Sequence, residues 1–160
     1  MGRIGGGWVG AFIRHNPENH YLTFEGDPAY RTQLQQIVLF DILINNADRK
    51  SGHVLLQEAE PADGRNRLWT IDHGICFHSD PKLRTVIWEF AGEPIPDDLR
   101  QALTVLQGSL AVNDGGLRTE LGSLLSPAEI AALQKRLQHL IAAGKFSYPG
   151  PGRHYPCPPV

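Results

Sequence analysis

The sequence predicts an α+β fold that is mostly helical and carries one small β-hairpin. Three observations support this. Tyr30, Leu34, Ile37 and Val38 keep the three-and-four spacing of an amphipathic helix. Two short apolar segments, His53 to Gln57 and Leu68 to Asp72, flank a turn-prone stretch containing Asp63-Gly64. Finally, Ser126-Pro127-Ala128-Glu129 has the form of a capping box with proline at the first helical position.

Taken in order, residues 1–26 are Gly-rich and then polar, without a sustained period, and read as an irregular lead-in. Asp27-Pro28 opens the first helix, with Asp as N-cap. That helix closes near Asn45-Asn46, because Asn tolerates the left-handed conformation that ends many helices. The hairpin follows. Residues 73 to 96, with Gly and several prolines, are expected to be irregular. A second helix runs from Asp97 to Gln107 through Leu99, Leu103 and Leu106. The third, behind Ser126, uses Ile130, Leu133, Leu137, Leu140 and Ile141, and Gly144 can close it. A Pro-rich tail, 149–160, cannot be helical. The expected organisation is therefore a lead-in at 1–26, one compact unit at 27–148 and the tail.

With 160 residues the chain can bury one core. Its net charge of −2 offers no global field for nucleic acid or an anionic membrane. No apolar run approaches the about 20 residues that cross a bilayer. The opening MGRIGGGWVGAF, with one Arg and no extended apolar stretch, makes a poor signal peptide, so the expected location is cytoplasmic. The opening also lacks the Gly-Lys-Ser/Thr ending of a phosphate loop. Cys76 and Cys157 read as free thiols.

Chemistry concentrates in NNADRKSGHVLL and, one hairpin later, LWTIDHG. A helix ends in a polar loop containing Asp48, a β-segment starts at His53, and the return strand ends in Asp72-His73-Gly74. Phosphoryl transfer needs such a division of labour: one carboxylate for the substrate hydroxyl, and other groups for a metal that bridges the nucleotide phosphates. A hairpin brings two acidic positions together although they are distant in sequence. Asp41, inside an otherwise apolar helix, reads as a buried carboxylate bonded to the backbone of this loop, and Asn46 as a second residue that supports it. Arg49 and Lys50 read as a solvated loop face from which either could meet a phosphate. His73 and His78 read as structural, and Trp69 and Trp88 as core residues.

These motifs resemble the phosphatidylinositol 3-/4-kinase-like branch of the kinase superfamily, in which Asp-Arg opens the catalytic loop and Asp-x-Gly follows the hairpin. Asn-Asn-Ala-Asp-Arg-Lys, Asp-His-Gly-Ile-Cys-Phe-His, Leu-Arg-Thr-Val-Ile-Trp and the final Tyr-Pro-Cys-Pro-Pro are similar to a bacterial group of small proteins of that branch. The resemblance runs from about Gln35 to the C-terminus and implies a kinase-like C-lobe. It implies Asp48 as the catalytic carboxylate, Asp72 as a metal ligand and His53 in a metal position usually held by Asn. It further implies ATP, Mg2+ or Mn2+, and an acceptor carrying a hydroxyl group. Such kinases carry a phosphate-gripping Lys on a preceding β-rich lobe. The residues ahead of Asp27 leave no room for one, so a catalytic lobe lacking its N-lobe, weakly active alone, is expected. Two other classes fit the same residues. One is a pseudokinase-type binding module, and the other a metal-dependent phosphohydrolase using Asp48, His53, Asp72, His73 and His78.

Overall fold

The computed structural model describes residues 13–59, 64–112 and 116–160. The Gly-rich opening and Asp63 of the hairpin turn lie outside the described residues. In chain order the elements are α1 (Tyr21–Phe24), α2 (Arg31–Ile44), a 3-10 turn (Ser51–His53), β1 (Val54–Gln57), β2 (Arg67–Thr70), α3 (Asp97–Ala111), α4 (Leu117–Gly122) and α5 (Pro127–Ala143). The fold is α+β and mostly helical, a small kinase-like lobe.

Helix α2 is the central element. Leu34, Ile37, Val38, Leu39, Ile42, Leu43 and Ile44 are all buried, so apolar residues cover far more than one stripe. A helix buried on most sides needs neighbours on most sides, and α5 and β2 pack against it. Its start differs from the expected one. The Asp27 carboxylate accepts the Ala29 N–H at 2.8 Å and caps a turn, and the helix proper begins at Arg31 behind Tyr30. Its end is as expected: Asn45 adopts φ 56, ψ 50. The Asn45 side chain then explains why Asn serves better than Gly. Its Nδ2 donates to the carbonyls of His78 and Asp80, both at 2.8 Å, and its Oδ1 accepts the Lys82 N–H at 2.9 Å. One residue thus ends the helix and shapes the irregular segment 73–96.

The hairpin pairs β1 and β2 antiparallel, with Val54 opposite Thr70 and Leu55 opposite Trp69. Val54 and Leu56 face the core. Strand alternation sends Leu55 and Trp69 to the other face, so Trp69 is 39% exposed and is not the core residue expected. Trp88 is half-buried, and its indole N–H donates to the His154 carbonyl.

The C-terminal helices follow local signals closely. Ser126 N–H donates to Glu129 Oε2 at 2.8 Å while Glu129 N–H donates to Ser126 Oγ, and Gly144 closes α5 at φ 62. Helix α3 runs one turn beyond Gln107, because Leu110 continues the buried series of Leu103 against α5. Asp97 and Asp98 in its first turn face the positive end of the helix dipole. The short α4 was not legible in the sequence; Leu117 and Leu121 pack it onto the core.

The lead-in also needs correction at its end. Residues Tyr21–Phe24 form a helical turn, and Tyr21 is fully buried. The Tyr21 hydroxyl donates to Glu25 and to Glu89, at 3.0 and 3.2 Å. Burial, with the charge of Glu25 adding to it, holds the Glu89 carboxyl above its ordinary range, partly offset by the Tyr21 hydrogen bond. A carboxyl with a raised folded-state pKa favours folding in its protonated form. That contribution is present at low pH and lost as pH rises through the raised pKa. Glu89→Gln keeps the acceptor oxygen without the charge. It is therefore expected to melt higher than the parent at pH 7–8, with the difference vanishing toward pH 4. Parallel melting curves with pH would show the reverse, that Glu89 ionises freely.

Candidate active site

Asp48, Arg49 and Lys50 sit in a loop whose backbone is clamped on both sides. Arg84 N–H donates to the Asn46 carbonyl (2.9 Å), Arg49 N–H to the Arg84 carbonyl (3.0 Å), and Val86 N–H to the Arg49 carbonyl (3.1 Å). Further contacts tie Ala47 N–H to the Ile75 carbonyl and Ser51 N–H to the Pro159 carbonyl, both at 2.9 Å. The end of the Pro-rich tail is therefore bonded to the loop, and the loop bearing Asp48 is bonded directly to the segment that follows Asp72. Asn46 Oδ1 accepts the Asp48 N–H at 3.0 Å.

The centre of this arrangement is Arg49, which is fully buried. This overturns its reading as part of a solvated loop face. Its Nε and Nη2 donate to the two carboxylate oxygens of Asp41, at 2.8 and 2.9 Å. Nη1 donates to the Ile71 carbonyl at 2.9 Å, and Nη2 also donates to His73 Nε2 at 2.8 Å. The guanidinium is thus committed inside the protein rather than offered to a phosphate. It is a planar fork that suits a bidentate carboxylate, and here it joins α2, the Asp48 loop and the end of the hairpin. Asp41 is fully buried as expected, but its carboxylate holds side chains rather than loop backbone: Arg49, and Asn46 Nδ2 at 2.9 Å.

His73 takes a structural place. Arginine can only donate, so His73 Nε2 must accept, and the ring is neutral with its proton on Nδ1. Burial and the neighbouring Arg49 charge hold its pKa below the ordinary value, against the opposing pull of Asp41 and Asp72. Its ring meets Phe40 edge-on at 5.6 Å. Cys76, beside this cluster, is a free thiol whose pKa burial pushes up to about 11.

Around this buried frame stand the groups that remain available. Ile71 N–H donates to the His53 carbonyl at 3.1 Å, continuing the hairpin by one pair, and this brings the side chains beyond it together. His53 Nε2 lies 3.6 Å from Asp72 Oδ2, and the Asp72 side chain is 60% exposed. Asp72 itself adopts φ 56, an uncommon conformation for a residue other than Gly, Asn or Asp. Lys50 Nζ lies 3.4 Å from Asp48 Oδ2, with both side chains partly open to solvent. Among the described residues, no group of three or more His, Cys, Asp or Glu gathers as a metal cage. Of the histidines invoked for a phosphohydrolase, His73 accepts from Arg49, and His78 Nδ1 accepts the Asp80 N–H at 2.9 Å. Sequence reading missed the contribution of the tail and of residues 84–86, whose roles run through backbone groups that no side-chain pattern announces.

Comparison with known proteins gives the chain's family. A family model described as phosphatidylinositol 3- and 4-kinase matches residues 4–114. Protein Rv2133c of Mycobacterium tuberculosis is 38% identical over 161 residues, covering 94% of this chain and 54% of that protein. Phosphatidylinositol 4-kinase gamma 3 of Arabidopsis thaliana is 36% identical over 75 residues, 42% of this chain and 13% of that protein. This chain therefore spans about half the length of one relative and a small part of the other. No solved structure matches. Among the described residues, no helix is long and apolar enough to cross a membrane. On its match across most of its length, the chain belongs to the phosphatidylinositol 3- and 4-kinase family.

Proposed function

We propose that this chain is the catalytic lobe of an ATP-dependent phosphotransferase acting on a hydroxyl group. The observation that carries the reading is the 3.6 Å approach of His53 to Asp72 at the open end of the hairpin, next to a braced loop bearing Asp48. Asp48 orients the acceptor hydroxyl and takes its proton as the hydroxyl oxygen bonds to the γ-phosphorus. The bond from that phosphorus to the β–γ bridging oxygen breaks, and its electron pair leaves with ADP. Lys50, whose Nζ lies 3.4 Å from Asp48 Oδ2, is the neighbouring basic group that meets the transferred phosphoryl oxygens. His53 and Asp72 would hold a divalent cation, Mg2+ or Mn2+, which supplies charge neutralisation on the nucleotide phosphates. Asp72 fits this use, because magnesium is commonly held by one or two carboxylates together with substrate phosphates, not by a protein cage. Phe40, Ile71 and Ile75 expose apolar surface near His73 and Asp72, against which a nucleotide base can rest.

The plant relative is a phosphatidylinositol 4-kinase by name, so an inositol hydroxyl is the first acceptor to test, followed by protein and small-molecule hydroxyls. The reading itself is tested by titrating ATP into the chain with and without metal. Binding should require the metal and weaken roughly tenfold to a hundredfold in Asp72→Asn, the range for one charged contact. Binding indifferent to both metal and Asp72 would instead favour a binding module.

His53 permits a finer test. Imidazole nitrogen suits first-row ions such as manganese, whereas an Asn carbonyl oxygen suits magnesium. His53→Asn is expected to move the preference toward magnesium when both metals are titrated with nucleotide present. Identical affinities and an identical manganese-to-magnesium ratio in the two proteins would remove His53 from the metal site.

A further inference from the structure

Away from Asp48, His53 and Asp72, a cleft of about 600 Å³ opens between the end of α2, residues 79–83, α5 and the tail. Lys82, Lys135, Arg136, Arg153 and His154 line it, and among the described residues no Asp or Glu does. In a chain of net charge −2 this is a local concentration of positive charge. Asp80, next to the lining in sequence, faces His78 at 3.9 Å. At the α5 wall, Arg136 donates from Nε to the Leu43 carbonyl at 2.8 Å and from Nη1 to the His78 carbonyl at 3.4 Å. Its Nη2 is buried and has no hydrogen-bond partner among the described residues. Desolvation alone pushes the guanidinium pKa down, with no carboxylate offsetting it. A half-buried guanidinium served only by carbonyls is costly to fold, and a ligand anion would offset that cost.

We propose that this cleft binds the phosphate group of a small phosphorylated molecule, at a site separate from the one that carries Asp48 and Asp72. Four Lys and Arg side chains on a concave wall exceed what one carboxylate would neutralise. Together, an Arg fork and mobile ammonium groups match the several oxygens of a phosphate or pyrophosphate. Trp88 and Tyr148, also in the lining, give a flat apolar wall for the organic part of the ligand. Four of the lining residues, Gly150, Pro151, Arg153 and His154, belong to the tail that reaches the Asp48 loop. The His154 carbonyl accepts the Thr85 N–H at 3.2 Å, and the Pro159 carbonyl accepts the Ser51 N–H. An occupied cleft would therefore hold down the strap that braces the loop.

The experiment titrates inorganic pyrophosphate into the chain with a chelator present, so that no metal bridges the ligand to Asp72. A parallel arm measures sedimentation with phosphatidylcholine vesicles, with and without phosphatidic acid. Wild type and Asp72→Asn should bind alike. The double variant Lys82→Ala/Lys135→Ala should bind at least about tenfold more weakly, the effect of losing one charged contact. Both lysines are exposed, so its circular dichroism should match the parent. Arg153→Ala, on the exposed tail, provides an independent variant with the same expectation. Pyrophosphate binding that depends on these residues identifies a soluble ligand class, and dependence seen only with phosphatidic acid vesicles identifies a lipid headgroup. No binding in either arm, binding lost in Asp72→Asn, or binding unchanged in the lysine and arginine variants would each overturn the proposal.

Discussion

Asp41→Ala is expected to lower the unfolding free energy by about 3–5 kcal/mol, the usual cost of removing one partner from a buried ion pair. The reason lies in what it strands. Arg49 remains fully buried, with its charge facing only carbonyl oxygens and His73, and the Asn46 side-chain amide loses its acceptor. Denaturant titration followed by circular dichroism measures the change. An apolar replacement of the pair, Asp41→Leu with Arg49→Met, should cost less, because no buried charge is left unpaired, and what remains is the loss of partners by the Asn46 amide and the Ile71 carbonyl. That double variant separates stability from function: it should fold, yet lose the link between α2, the Asp48 loop and the Ile71 carbonyl, and with it nucleotide-dependent turnover. A loss below about 1 kcal/mol for Asp41→Ala would mean that water reaches Arg49 and that the pair behaves as a surface bridge.

Asp48→Asn is expected to reduce phosphoryl transfer by about 10²–10⁴-fold, the contribution of one positioned acid or base group. The exchange is nearly isosteric and the side chain is 26% exposed, so stability should change little. ATP binding should survive, because the metal-holding groups proposed here are His53 and Asp72. The measurement is ADP formation in the presence of each acceptor class, alongside an ATP titration of the same variant. Turnover that matches the parent would show that Asp48 serves only its contact with Lys50. Loss of binding together with turnover would place Asp48 among the nucleotide-holding groups instead.

The two experiments address different layers of the molecule, and these layers differ in how far the linear chain reveals them. The capping box at Ser126, the left-handed Asn45 and Gly144, and the apolar series of α3 and α5 were readable because each depends on partners within a few residues. The order helix, Asp48 loop, hairpin, Asp72 was readable for the same reason, since hairpin pairing alone carries His53 back beside Asp72.

What the chain did not disclose were directions and long-range partners. Asp48, Arg49 and Lys50 are three consecutive polar residues, and nothing in their identity says which turns inward. Arg49 does so because Asp41 waits on the buried side of α2 and residues 84–86 hold the loop backbone from the other side. Trp69 faces outward because of a register that only the paired strand defines. The four residues of α1 form a turn because Tyr21 finds Glu89 far along the chain, not because of any period. The basic cleft is assembled from α2, residues 79–83, α5 and the tail, so its charge is invisible until packing gathers it. Local sequence determined the three long helices, the hairpin and their order. Burial, which depends on every other segment at once, decided which charges became structure and which remained free for chemistry.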